Sequence, residues 1–221
     1  MLVIKPDNIR KTDRKYMTIH YYKNDLPDNF KASNIIAIDA EMMGLNVFRD
    51  RLCVVQLSNG DGDAYLVHFD KDCYDAPNLK RVLSDPKIEK IFHFARYDLT
   101  AIKYYLGVMC ENIFCTKIAS KLSRTYTDRH SFKEVCRLAT GIDISKKQQT
   151  SDWGSDTLDE EQKEYAASDV LYLHEIRNWL DGLLAREDRR EIAQKCFDFL
   201  PHRAELDLLG WPEVDIFAHS S

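Results

Sequence analysis

The stretch Ile35-Ile36-Ala37-Ile38-Asp39-Ala40-Glu41 constrains the fold more than any other part of the chain. An apolar run rich in β-branched residues reads as a buried strand. Alternation along a strand puts Asp39 and Glu41 on the same side of the sheet. Two neighbouring carboxylates at the end of a core strand repel each other and lose hydration. A cation between them relieves both costs. The competing reading is a strand end with two solvated acids.

The chain has 221 residues, enough for one domain with appendages. With 44% hydrophobic and 30% charged residues it has the composition of a soluble globular protein. No apolar run approaches the roughly 20 residues that span a bilayer. The polar N-terminus lacks the apolar core of a signal peptide, so a cytoplasmic protein without membrane association is expected. Residues 1–16 read as an N-terminal extension, a candidate for disorder, with Met17 as a second possible start. Six scattered cysteines with no CxxC pair read as reduced thiols rather than zinc ligands.

Net charge is −5, but it is unevenly spread. Residues 117–147 hold eight basic against three acidic residues, whereas residues 152–221 hold seven against seventeen. A basic band on an acidic chain fits a polyanion site confined to one surface, against the simpler reading of a solvated helix face.

Strands are expected at 34–41, 52–57 and 64–69, the last two joined through Asn59-Gly60-Asp61-Gly62-Asp63, a strong hairpin signal. Further along, strands at 88–93 and 113–115 alternate with helices at 79–83, 98–106, 117–123 and 131–140. Ser131-x-x-Glu134 and Thr157-x-x-Glu160 read as capping boxes, the second opening a long helix over 158–181. A last helix is expected over 187–199. The predicted fold is α/β, a mixed five- to six-stranded sheet flanked by helices, with a domain over 17–203. The segment 204–221 is too apolar for a free tail and is expected to pack on the domain or on a partner subunit.

Two further acidic spots echo the first. Asp98 follows a strand at the start of a helix, where a helix cap is the plain alternative. Tyr165 and Asp169 lie i, i+4 on one helix face, with the small residues Ala166 and Ala167 between them. Four carboxylates from three elements suit two hard divalent cations, Mg²⁺ or Mn²⁺. Two such ions clamp a phosphodiester between attacking and leaving oxygens. Tyr165, neutral near pH 7, is the candidate to orient the attacking water.

In order, Asp39-x-Glu41, Asp98 and Tyr165-x-x-x-Asp169 resemble the motifs of the DEDDy 3′–5′ exonucleases of the ribonuclease D family. Ser151-Asp152-Trp153 and Tyr165-Ala166-Ala167-Ser168-Asp169-Val170-Leu171 strengthen that resemblance, which runs from about 34 to 180. It implies an RNase H-like exonuclease fold, catalytic Asp39, Glu41, Asp98, Tyr165 and Asp169, and release of nucleoside 5′-monophosphates from RNA 3′ ends. Ala40 departs from the usual Thr or Ser, at a position that is no ligand. The segment Asp50-Arg51-Leu52-Cys53-Val54-Val55-Gln56-Leu57 and the short chain most resemble the bacterial nano-RNase C group. That implies short single-stranded RNA, down to dinucleotides, as substrate and a homo-oligomer, an octamer in that group. Trimming of longer RNA such as tRNA 3′ ends, a DNA exonuclease and a silent RNA-binding module are the alternatives.

Secondary candidates for substrate contact are Met42 and Leu45 as apolar wedges, and His93 near the phosphate. Arg129, His130, Lys133, Lys146, Lys147 and Gln148 in or beside the basic band complete the set. Core packing or a solvated surface competes at each. Trp153 reads as core.

Overall fold

The computed structural model describes residues 18–144, 151–213 and 215–219. Its centre is a six-stranded mixed sheet, ordered β1-β4-β3-β2-β5-β6. The strands are β1 (Thr18–Lys23), β2 (Ile35–Met42), β3 (Leu52–Ser58), β4 (Asp63–His68), β5 (Glu89–Phe92) and β6 (Ile113–Cys115).

β2, β3 and β4 form the expected antiparallel meander. Its hairpin turns through Gly60 and Gly62, at φ +79° and +97°, a region open to glycine at little cost. Ser58 Oγ donates to Asp63 O at 2.7 Å and closes the turn. β5 and β6 then add in parallel beside β2. β2 is therefore an inner strand with partners on both edges. β3 is buried along its whole length, which explains its apolar run, interrupted before Ser58 only by Gln56.

β1 is an addition to the predicted strands. It pairs parallel with β4 at the sheet edge. Its sequence Thr-Ile-His-Tyr-Tyr-Lys is half-exposed on both faces, so it carries no clear apolar alternation.

The helices are α1 (Pro77–Ser84), α2 (Ala95–Ala101), α3 (Thr116–Ser123), α4 (Phe132–Thr140), α5 (Glu160–Leu171), α6 (Leu173–Arg186) and α7 (Arg190–Leu208). α2 continues into a π-helical turn, Ile102–Leu106. The long helix predicted over 158–181 is two helices broken at Tyr172. Its capping box is Asp159 with Gln162, not Thr157 with Glu160. The Asp159 carboxylate accepts from Gln162 N at 2.8 Å, and the Gln162 side chain accepts from Asp159 N at 3.0 Å. The two frames overlap in sequence, and a carboxylate at the cap outcompetes the threonine two residues earlier.

α7 also outruns its predicted end at 199. Pro201 reads as a stop, yet the helix accommodates it and continues to Leu208. The chain then folds back: Trp211 N donates to Leu206 O at 2.9 Å, and the Phe217 ring lies 5.9 Å from Phe199. Among the described residues every cysteine is a free thiol, and Cys53, Cys110, Cys115 and Cys136 are buried.

α5 crosses the sheet over β1 to β4, and α6 covers β2 and β5. Ala166 and Ala167, both fully buried, let α5 approach closely. That approach carries the Tyr165–Asp169 face down onto the end of β2. An Ala167→Leu change leaves no room for the added carbons and forces α5 off the sheet. It is expected to cost about 1–3 kcal/mol, measured as a lowered urea midpoint.

Candidate active site

β2 ends in a kink. Glu41 pairs with Val54 and Met42 with Leu52, so Cys53 is an extra residue on β3. Such a bulge bends the pair and re-aims side chains locally. It falls where the two acids of β2 leave the sheet.

Asp39, Glu41 and Asp169 bring carboxylate oxygens within 4.8 Å of one another. All three keep some solvent access, as a site open to a ligand requires. Asp98, in the first turns of α2, stands outside this triad and is almost fully buried. It still feels the charges of Asp39 and Asp169. α2 starts at Ala95, so Asp98 lies inside the helix rather than capping it.

The electrostatics follow from crowding. Burial pushes the Asp39 carboxyl up to about 7, opposed by hydrogen bonds from the Ala40 backbone and Gln56. Burial raises Glu41 well above the usual range, reinforced by Asp39, Asp169 and Asp98. Asp98 and Asp169 are raised by burial first and by Asp39 second. Each acid is thus costly to ionise beside the others. No lysine or arginine offsets them among the causes acting on these four groups. An all-oxygen donor set with uncompensated negative charge fits hard divalent cations and no softer metal.

Tyr165 interacts through its hydroxyl with Asp169, one turn along α5. Burial and the negative charges of Asp169, Glu41 and Asp39 raise its pKa, so the phenol stays protonated. Trp153 is buried, 6.0 Å from the Tyr165 ring between centroids, and acts as core.

Gln56 joins this set although the motif pattern does not contain it. It is fully buried on β3, and its Nε2 donates to Asp39 Oδ2 at 2.8 Å. The sequence signal was present: one amide inside the apolar run Leu52–Leu57. A buried amide there must find a polar partner.

The secondary candidates scatter. Leu45 is 87% exposed at the site's rim, whereas Met42 is buried in the core. His93 Nδ1 bonds Thr116 Oγ1 at 2.9 Å, and burial, aided by Lys117, lowers its pKa to about 3. It is a neutral ring and brings no charge to a phosphate. His130 is buried with Nδ1 on Ser120 Oγ at 2.9 Å, a structural contact. Lys133 pairs with Asp143 at 3.0 Å, and Arg129 is exposed. Lys146, Lys147 and Gln148 lie outside the described residues.

Known proteins resemble the chain over most of its length. NrnC of Brucella melitensis, in a structure bound to pGG, is 53% identical with a TM-score of 0.89. The match covers 93% of this chain and 100% of that one. The same protein with bound Mg²⁺ is 52% identical over 92% of this chain and 100% of that one, with a TM-score of 0.87. Ribonuclease D of Gluconacetobacter diazotrophicus is 30% identical over 162 residues, 73% of this chain and 41% of that protein. The chain therefore spans about two fifths of the length of the curated relatives it matches. The 3′–5′ exonuclease family model matches residues 21–185, which include all four acids and Tyr165, so the chain belongs to the 3′–5′ exonuclease family.

Proposed function

We propose that this chain is a metal-dependent 3′–5′ exoribonuclease. It hydrolyses short RNA oligonucleotides, down to dinucleotides, to nucleoside 5′-monophosphates. The observation that carries the reading is the convergence of Asp39, Glu41, Asp98, Tyr165 and Asp169 from β2, α2 and α5. The relative bound to pGG supports a very short substrate, and the one with Mg²⁺ supports a divalent cation.

Asp39, Glu41, Asp98 and Asp169 are assigned as ligands of two cations, Mg²⁺ or Mn²⁺. Bound there, these ions offset the carboxylate charge, acidify a water and stabilise the leaving 3′-oxygen. Gln56 holds Asp39 Oδ2 in place and thereby orients the carboxylate. Tyr165, kept protonated by its acidic neighbours, hydrogen-bonds the attacking water and aims it at the terminal phosphodiester. Exposed Trp211, Ile216 and Phe217 support self-association into a homo-oligomer.

A time course on 5′-labelled RNAs of two to about twenty nucleotides, with Mn²⁺ and with Mg²⁺, tests the substrate. Fastest turnover of the dinucleotide is expected, and preference for the longest strand refutes it. Tyr165→Phe is expected to lower kcat about 10²-fold or more while Mn²⁺ binding by calorimetry is retained. Gln56→Leu frees the Asp39 carboxylate to rotate and should weaken Mn²⁺ binding about 10- to 100-fold.

The raised carboxylate pKa values also fix a pH dependence. Unfolded, these acids titrate near 4; folded and metal-free, Asp39 titrates near 7 and the others are raised too. The stability they contribute is full below about pH 4 and is lost as the pH rises through the folded values. Bound cations compete with those protons, so the rise in Tm produced by Mn²⁺ over EDTA should be larger at pH 8 than at pH 5.5. Equal rises at both values would count against cation binding at this cluster.

A further inference from the structure

We propose that Phe94 is the aromatic wall on which a nucleobase of the RNA end stacks, braced from behind by Lys117. The proposal rests on the exoribonuclease reading and names a further substrate contact for it.

Phe94 joins β5 to α2, four residues before Asp98. Its backbone is left-handed, at φ 72° and ψ 44°. For a residue other than glycine that conformation costs free energy and persists only where the surroundings enforce it. Phe94 stands at the N-cap of α2, where its carbonyl accepts from Tyr97 N at 3.2 Å, but its side chain has no acceptor to offer the free N–H groups of the first turn. The conformation does not bury the residue, which stays 45% exposed. The turn leaves a large ring exposed at the start of the helix that carries Asp98.

The ring borders a cavity of about 530 Å³, whose other walls include Leu45, Phe48 and Tyr97. That volume falls within the range of small-ligand sites. The cavity adjoins the acidic cluster: Tyr97 senses the charges of Asp98 and Glu41, and its hydroxyl donates to Gly44 O. The same bond ties α2 to the loop that displays Leu45. The cavity also carries polar and charged groups, Arg96, Asp207 and Glu213 among them, but its aromatic wall, next to the proposed phosphodiester-cleaving site, matches the π-face common to every base.

Lys117 supplies the second observation. Its Nζ lies 3.9 Å from the Phe94 ring centroid, yet the residue does not border the cavity. The ammonium thus backs the ring from outside the cavity, a cation–π contact that fixes the ring's orientation. Among the described residues Lys117 has no carboxylate within 4.0 Å. Its charge is left to attract the polyanionic strand, and it opens the basic band of residues 117–147.

The test compares wild type with Phe94→Gly, which tolerates the left-handed turn, and with the conservative Phe94→Tyr. Substrates are an RNA dinucleotide and its two abasic counterparts. Phe94→Gly is expected to raise KM for the full dinucleotide about tenfold, the size of one base–ring stack, with kcat little changed. Phe94→Tyr should restore wild-type KM. With one abasic substrate, wild type and Phe94→Gly should coincide. An unchanged KM in Phe94→Gly, or an equal rise for both abasic substrates, overturns the proposal.

Binding of a 2-aminopurine dinucleotide in Ca²⁺ gives a readout that needs no turnover. Stacking should quench its fluorescence in wild type and not in Phe94→Gly. Quenching without any cleavage in Mg²⁺ or Mn²⁺ would refute the exoribonuclease and keep the base wall. Cleavage without a Phe94-dependent quench would do the reverse, and absence of both would refute both.

Discussion

Four carboxylates crowded together and largely withdrawn from water are the constraint on which the rest of the structure depends. Burial raises the pKa of Asp39, Glu41, Asp98 and Asp169 alike, and repulsion by neighbouring acids adds to it at Glu41, Asp98 and Asp169. A chain that places like charges so close sacrifices stability at neutral pH unless cations share the space. The scaffold must therefore be rigid enough to hold the cluster without its counter-ions. An inner strand, a helix pinned through alanines and a bulge beside the acids meet that need. The enclosing core absorbs the repulsion because it is continuous from β3 to α6.

The candidate site is divided between elements with different tolerances. β2 is paired with β5 up to Ala37, and from Ala37 through Asp39 and Glu41 it stays paired with β3, which anchors the backbone that carries the two acids. Asp98 is held from a helix whose start is an unusual turn. Tyr165 and Asp169 ride on a helix that ends at a break only three residues beyond Asp169. The long arm that sequence periodicity suggested is instead a short α5, seated on the sheet, followed by a separate α6. That break lets α5 follow the sheet while α6 packs against α3 and α4.

The acids and the tyrosine were legible in the sequence because their chemistry leaves a pattern. Carboxylates do not end core strands by chance as a spaced set, and i, i+4 spacing fixes a shared face. The meander was equally legible, since its glycine-rich turn and apolar runs are local signals. β1 was not, because an edge strand exposed on both faces has no period to read. The true cap at Asp159 was missed for a different reason, as two overlapping frames both satisfy the spacing rule. Gln56 escaped because its role depends on a partner seventeen residues away across a register that sequence does not state. The secondary contacts fared worst: a histidine or lysine can face a ligand or a neighbour, and only tertiary packing decides. His130 and Lys133 chose neighbours.

The hydroxyl of Tyr97 bonds the carbonyl of Gly44, and that of Tyr105 bonds the carbonyls of Val47 and Asp50 at 2.8 and 3.2 Å. Both phenols come from the α2 segment, and both acceptors lie on the loop after β2. The loop with Leu45 and the helix with Asp98 are consequently one mechanical piece. A shift of the loop that displays Leu45 is thereby passed to the helix that carries Asp98, so rim and acid share one mechanical fate.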